Sequence, residues 1–581
     1  MGHWTKPGLS AKPPRVLRRI VFYVLLVLLA TGAFVVRSWN LREVFLQGRI
    51  FFVDPDCYSR MARARMVATG EQWVVRQHEF ENHPHGIRPH TTAPLDWAIA
   101  AFRWPLAGAI RLGGDALWAR VLRTQTLEVS GALISPLLGA LTCGWIAWAF
   151  CRLPGLPRSG GWAAALLFAL SPMAVHGTLL GRPDHQSLML ALLAVALAAE
   201  VRLALAAEYL DSERRWALAA GVAWGGACWV SFYEPLVMLA VVLLFWVCAD
   251  RRRFTRRECW PGWIAFAAII VLSVIIEGWR ISVPSSELRE AFTRWSSKIG
   301  ELQPAGIGLM ASWVGALGLA APLALLAMVI IRLRKNAEPG GWQTPALMAT
   351  LLVPLFALTV WQARWGYFLA LAAAFAMPLM FAAMRRAWIA WPVFILALWP
   401  VAADWDARLF PDEETERKRL LLRAENVALR EIAEVQGERR AGAFVAPWWL
   451  SPPIAYWSGL PAVAGSSHES LPGILDTARV YLADDAGAAL AILRERQVSW
   501  LISYPPERII PNSASLLAES PPRKCFAHDL VERVLPDPWT LALIRERGVT
   551  GPQGREFFQL WTVRRSMTPD PEEEEHAHEG E

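Results

Sequence analysis

Charge is scarce in this chain. Only 19% of its 581 residues are Asp, Glu, Lys or Arg, while 54% are hydrophobic and the mean hydropathy is positive. Soluble domains carry about a quarter charged residues, so a soluble enzyme of this length is excluded and an integral membrane protein is expected. Cysteine is also sparse and unpatterned. Cys143, Cys151, Cys228 and Cys248 fall in apolar segments, and Cys57, Cys259 and Cys525 are scattered, which excludes both a disulfide framework and zinc-finger spacing. The net charge of +7 comes without any basic face interleaved with aromatics, so no nucleic-acid partner is expected. No small-residue cleavage site follows the first apolar run, 20–36, which lies behind Lys6, Lys12, Arg15, Arg18 and Arg19. That run therefore reads as a retained anchor. No internal repeat is visible.

What the chain has in quantity is long apolar runs. They start near Ile20, Val129, Trp162, Leu188, Trp216, Leu236, Trp263, Ile307, Pro345, Trp365 and Trp388, which gives about 11–13 transmembrane helices. A twelfth stretch, 94–112, is interrupted by Asp96, Arg103, Pro105 and Arg111 and reads as a helix lying in the interface. With the N-terminus cytoplasmic, the short inner turns carry Arg152 and Arg158, Arg214 and Arg215, then Arg251, Arg252, Arg253, Arg256 and Arg257. The later ones carry Arg332, Arg334 and Lys335, then Arg385 and Arg386. All obey the positive-inside rule. The opposite face receives the long segments 38–128 and 277–304 and everything after Asp404, so the protein is expected to work on its outer face.

After Asp404 the hydropathy falls. A polar helical stretch covers 413–440, strands are expected at 443–446 and 498–502, and a helix at 486–496. The expected architecture is a polytopic α-helical membrane domain, 1–404, followed by an α/β extracytoplasmic domain, 405–567. The acidic tail 568–581, with four glutamates at 572–575, is expected to be disordered.

The polar residues predicted on the outer face are the candidates for chemistry. Asp54-Pro55-Asp56 fits either a proline turn with a capping Asp or part of a cation site. Arg182-Pro183-Asp184-His185-Gln186 fits either a capped hairpin or a second set of metal ligands, Asp184 with His185 or Gln186. Oxygen-rich ligands of this kind suit Mg2+ or Mn2+ better than zinc. Glu301, in Ile299-Gly300-Glu301-Leu302-Gln303-Pro304, is either a solvated loop acid or a carboxylate that completes a site when its loop folds over substrate. Arg364, between Trp361 and Trp365, is either an interfacial anchor or a bidentate partner for phosphate. Trp448, Trp449, Tyr456 and Trp457 make either a domain core or the wall of an acceptor or sugar pocket.

Taken in order, these motifs resemble the catalytic subunits of the oligosaccharyltransferases, membrane glycosyltransferases of the GT-C architecture. Asp54-Pro55-Asp56-Cys57-Tyr58 is similar to the family's first-loop acidic motif, Asp184-His185-Gln186 to its second, and Ile299-Gly300-Glu301-Leu302-Gln303-Pro304 to its mobile-loop glutamate motif. Arg364 falls where a late membrane arginine is expected. Pro447-Trp448-Trp449 begins like the Trp-Trp-Asp signature, and Tyr456-Trp457-Ser458-Gly459-Leu460-Pro461 continues in the same style. The resemblance implies transfer of a glycan from a polyprenyl-pyrophosphate carrier to a protein or other extracytoplasmic acceptor at the inner (plasma) membrane, on the periplasmic or extracellular side. It implies Mn2+ or Mg2+ at Asp56 and Asp184, acceptor contacts from Asp56 and Glu301, and a pyrophosphate contact from Arg364.

The chain departs from that pattern in three ways. Leu450 stands where the signature has an Asp that reads the hydroxyl of the acceptor sequon. Gln186 stands where an acid or His is usual. The span count is about two short before the mobile loop. Two other readings of the same residues are a GT-C transferase using a polyprenyl-monophosphate sugar on a lipid or polysaccharide, and a non-catalytic scaffold of the same fold.

Overall fold

The computed structural model describes residues 15–114, 122–205, 210–280, 284–334, 339–484, 486–532, 543–550 and 556–564. Lys6, Lys12, Lys335 and the 568–581 tail lie outside the described residues. Every expected apolar run forms a helix. Seven are long and apolar enough to cross a membrane: Val16–Arg37, Thr126–Phe150, His185–Leu205, Trp260–Glu277, Ile307–Arg334, Gly341–Trp361 and Ala363–Met384. The pair Ala387–Ala397 and Trp399–Leu409, bent by 43°, supplies an eighth if it is one crossing. The chain is a multi-pass membrane protein.

The other three runs fall short for visible reasons. Arg158–Leu170 has 13 residues and stops at Ser171-Pro172, where the serine hydroxyl accepts from Ala174 N and a second short helix, Pro172–His176, begins. Leu210–Val230 starts on a charged turn, and Tyr233–Ala249 has 17 residues. The twelfth stretch is one continuous helix, Ala93–Leu112, and is not among the long apolar helices. Its Asp96 is 2% exposed and paired with Arg60 at 2.9 Å and Arg63 at 3.8 Å, both on helix Pro55–Thr69. A buried carboxylate needs such partners, so the charges that break up this stretch dock it onto the outer-loop helix.

The arginines expected on the inner face also form ion pairs within the protein. Arg253 is buried and pairs at 2.7 Å with Glu200, which also accepts from the Trp246 indole at 2.8 Å. Arg256 pairs with Asp250 at 2.9 Å and Glu213 at 3.3 Å. At the outer end of the first span, Arg37 is fully buried. It donates to Thr178 Oγ1 and to the carbonyls of Ala33, Phe168 and Ala169, the last three being groups left free at helix ends or shared with them.

The C-terminal region opens with helix Glu413–Glu438. Asp412 caps it by accepting from Thr415 N at 2.8 Å, and three glutamates in its first turn suit the positive end of the helix dipole. A four-stranded sheet follows, in the order Ala443–Val445, Val498–Ser503, Glu556–Val563, Leu543–Thr550. The first pair is parallel, as a crossover through helices Leu471–Leu482 and Ala486–Glu495 requires, and the rest is antiparallel. This region sits directly on the first outer loop. His83 N donates to Ala462 O and Ala462 N to Phe80 O, each at 3.0 Å. On helix Ser451–Ser458, Tyr456 packs edge-on against Phe52 and tilted against Tyr58, and Trp457 packs edge-on against Tyr58.

If Asp96 is the anchor described, Asp96→Leu leaves two buried guanidinium groups unpaired and should cost about 3–5 kcal/mol, read as a lower Tm in detergent. Adding Arg60→Met should restore part of the loss; a double variant no better than the single would contradict the pairing.

Candidate active site

The two acidic motifs meet through one backbone hydrogen bond. Val53 N donates to Gly181 O at 3.0 Å, which places the residue before Asp54 beside the residue before Arg182. Gly181 has φ +73° and a Cβ there would lie 2.7 Å from Val44 Cγ2, so a side chain is excluded on both conformational and steric grounds.

Asp54 has extended backbone and is the N-cap of helix Pro55–Thr69: its Oδ1 accepts from Cys57 N at 3.0 Å, and Pro55 occupies the first helical position. The capping residue of this motif is thus Asp54, and Asp56 is released to face outward from the first turn. Asp184 ends the turn before helix His185–Leu205. Its Oδ1 accepts from His185 N at 2.7 Å and lies 2.7 Å from His185 Nδ1. The Gln186 amide abuts the same carboxylate, which can accept only from its nitrogen, so the amide is assigned with N toward Asp184. Asp184 thus takes the first free N–H of its helix with one oxygen, while the other lies 3.8 Å from Arg182.

Arg182 stands among these acids. It is 5% exposed, with Nη2 2.6 Å from Glu301 and 3.8 Å from Asp184, and Nη1 3.4 Å from Asp54. A closed ring of hydrogen bonds holds it. Arg182 Nη1 donates to His176 Nε2 at 2.7 Å, the other ring nitrogen of His176 is 2.7 Å from the Tyr367 hydroxyl, and that hydroxyl donates to Glu301 Oε1 at 2.6 Å. The only tautomer that satisfies every member carries the proton on Nδ1 of His176. Glu301 itself lies in the turn Gly300–Leu302, and Ala363 N donates to Gln303 O at 2.7 Å, which ties the Glu301 loop to the Arg364 turn.

Electrostatics mark Asp56 as the unusual member. Its side chain is exposed, the buried hydroxyl of Ser466 lies beside it, and no ion pair reaches it among the described residues. The surrounding protein and the charges of Asp54, Asp184 and Glu301 push its carboxyl up to about 7. Because the side chain stays open to water, the crowding by like charges is the part that a bound cation would relieve. Burial raises Asp54 as well, against the pull of Arg182. For Asp184 burial works the other way, but His185 and Arg182 outweigh it and hold the carboxyl well below the usual carboxylate range.

Arg364 is on the same face with a partner the sequence did not reveal. It pairs with Glu234, which is 1% exposed and also accepts from Ser231 at 2.6 Å. The aromatic cluster divides. Trp448 donates to Asn512 at 3.1 Å and touches Trp295 of the outer-loop helix Arg289–Ser296. Trp449 has a buried indole N–H with no partner. Tyr456 is 3% exposed, gives its hydroxyl to Glu128 at 2.9 Å and lies under Arg65, which makes it part of the joint between the C-terminal region and the first outer loop. Leu450 is 8% exposed, in the core of the C-terminal region.

Sequence reading missed Arg182 as a centre, and with it His176, Tyr367 and Glu234. The available signal was a charged or ring-polar residue at the outer end of an apolar run. It also missed a convergence of His90, His468 and Glu469, whose ligand atoms lie within 4.8 Å of one another. Among the described residues that is the group of three metal-binding side chains so close together.

No protein-family profile matches the chain, and no curated protein sequence matches it. Solved structures do. The oligosaccharyltransferase of Archaeoglobus fulgidus, tethered to an acceptor peptide containing the NVT sequon, aligns with a TM-score of 0.63 and 13% identity over 94% of this chain and 74% of that one. The archaeal oligosaccharyltransferase AglB from the same organism, with an inhibitory peptide and a dolichol-phosphate, gives 0.61 and 14% over 96% and 75%. The A. fulgidus enzyme in complex with Zn and sulfate gives 0.61 and 14% over 92% and 72%. At these identities the likeness is one of fold: this chain has the membrane architecture of those enzymes along nearly its whole length.

Removing the central guanidinium should expose the repulsion it offsets. Asp54 and Asp56 bind protons more readily in the folded than in the unfolded chain, so their contribution to stability falls as pH rises above the usual carboxylate range, for Asp56 up to about 7. Arg182→Gln should deepen that trend, with a Tm deficit larger at pH 8 than at pH 5. A deficit independent of pH would show that Arg182 is not what holds these acids together.

Proposed function

We propose that the chain is a metal-dependent, oligosaccharyltransferase-like glycosyltransferase that moves a glycan from a polyprenyl-pyrophosphate carrier to an extracytoplasmic acceptor. The observation that carries this reading is the gathering of Asp54, Asp56, Asp184, Glu301 and Arg364 from separate loops onto one face of a helical membrane domain. Soluble hydrolytic sites need no such platform at a bilayer surface; a lipid-linked donor does.

The side chains support defined roles. Asp56 and Asp184, with His185 or Gln186 nearby, offer an oxygen-rich donor set that fits Mn2+ or Mg2+, and the crowding of Asp56 by Asp54, Asp184 and Glu301 is a repulsion that such a cation would offset. Bound there, such an ion would neutralise charge developing on a pyrophosphate leaving group. Arg364 offers a guanidinium to the same phosphates, with Glu234 fixing its orientation. Asp56 and Glu301 offer carboxylates to the acceptor amide or hydroxyl, and Tyr367 and Arg182 hold Glu301 in place. Trp448 and Trp449 stand beside the outer-loop helix, where a polymeric acceptor or sugar would pass. Leu450 brings no carboxylate to that wall, so the acceptor is not selected there by a hydroxyl contact. The inner-membrane location, with the site on the periplasmic or extracellular side, is supported by the arginines at the opposite helix ends.

The test is glycan transfer by the purified protein from labelled undecaprenyl-pyrophosphate glycan, in Mn2+, to a panel of peptide and lipid acceptors. We expect turnover that chelation abolishes, and a loss of about 100-fold or more in Asp56→Asn, the scale of removing one electrostatic partner of a transition state. A preference for monophosphate donors would move the reading to the monophosphate-sugar transferases. Metal-independent turnover, or full activity of Asp56→Asn, would sink it.

A further inference from the structure

Three residues beyond Asp56, and so on the same side of helix Pro55–Thr69, Ser59 donates its hydroxyl to Glu81 Oε1. The other oxygen of Glu81 accepts from Ser470 Oγ at 2.9 Å. Glu81 is 1% exposed and Ser470 fully buried, so this carboxylate is a bridge inside the protein between the helix that carries Asp56 and a turn of the C-terminal region. That turn also contains Ser466, whose buried hydroxyl lies beside Asp56. The fit is tight. A Cβ on Gly465 would lie 2.3 Å from Glu81 Oε2 and 2.4 Å from Ser470 Oγ, so the chain has given up a side chain at 465 to admit the carboxylate. The backbone pairing of Phe80 and His83 with Ala462 delivers Glu81 to this place from the first outer loop.

A buried carboxylate is costly unless its hydrogen bonds are made. Packing alone would be served as well by a leucine. Two serine hydroxyls that give Glu81 one bond to each oxygen fix the distance between Ser59 and Ser470, and hence between the first turn of the Asp56 helix and the 465–470 turn.

We propose that Glu81 is a positioning residue: held between Ser59 and Ser470, it sets Asp56 against Ser466, so that the C-terminal region determines where the reacting carboxylate stands. The inference rests on Asp56 acting as described under Proposed function. It makes the C-terminal region part of the site's framework and gives a buried group outside the Arg182 cluster control over catalysis.

The experiment compares Glu81→Gln, Glu81→Leu and the gentler Ser470→Ala in the full-length protein. Gln keeps one acceptor and gains one donor, which the two hydroxyls can accommodate by rotating; Leu keeps the volume and loses both bonds. Amide exchange over residues 54–61 should accelerate in Glu81→Leu and, to a lesser degree, in Ser470→Ala, and stay near wild type in Glu81→Gln. In the glycan-transfer assay, Glu81→Leu should lose kcat by about 100-fold, the scale expected from misplacing a reacting group by an ångström, with the KM for donor unchanged and with rescue by Gln. Leu behaving like Gln in exchange and in kcat would overturn the proposal. If the wild-type protein itself transfers no glycan, the functional reading falls, and the exchange measurement still decides whether Glu81 sets the place of Asp56.

Discussion

The outer face of this protein depends on one guanidinium. Arg182 stands within reach of Asp54, Asp184 and Glu301, and without it four acids from three loops would crowd one another with His185, which faces only Asp184 among them, as the nearest offset. Its position is in turn fixed by neutral partners. The ring through His176 and Tyr367 engages both terminal nitrogens of Arg182 and one oxygen of Glu301 at once, and a connected buried network of this kind favours a single arrangement. Asp56 alone stands outside the ring, exposed and without an ion pair. The asymmetry matters for chemistry: Arg182 organises three carboxylates as structure and leaves the fourth available.

Bringing those groups together takes very few direct bonds. Val53 N to Gly181 O joins the first acidic motif to the second, Ala363 N to Gln303 O joins the glutamate loop to the Arg364 turn, and the Ala462 pairings join the outer loop to the C-terminal region. Each is a backbone bond, independent of side-chain identity, and each lies one to three residues from a charged group. The scaffold thus fixes the places of the chemistry-bearing positions through main chain.

Much of this was legible in the sequence, because membrane burial writes itself as hydropathy. Each apolar run became a helix, and the strands at Ala443–Val445 and Val498–Ser503 formed where alternation placed them. The co-facial acids were found because topology forces loops of one parity to one side. What sequence could not supply was pairing. Nothing in the order of residues says that Arg364 would meet Glu234, 130 positions earlier, or that Arg182, rather than Arg364, would sit among the acids. Composition also hides which of two neighbouring aspartates caps a helix. Asp54 does so because Pro55 fixes the first helical φ and leaves the preceding side chain over the free N–H groups, a geometric outcome that a motif spelled Asp-Pro-Asp leaves open. The inner arginines taught the same lesson, since Arg253 proved to be buried against Glu200 although its charge pattern alone read as orientation.

The Glu234 pairing also bears on how Arg364 can meet a phosphate. A guanidinium has five N–H donors in a rigid plane, and the contact to Glu234 uses one terminal nitrogen. A carboxylate that is almost wholly buried cannot follow the arginine outward without leaving its bond from Ser231, so Glu234 acts as a fixed post that aims the guanidinium. The Arg364 side chain is 28% exposed, and its turn is tied to the Glu301 loop by the Ala363 N to Gln303 O bond. An anion meeting this side chain would add to an ion pair already formed, so the guanidinium would need little further ordering. The same arrangement sets a limit: Glu234 already offsets part of the guanidinium charge, so under the proposed function a pyrophosphate would need further positive charge beside Arg364.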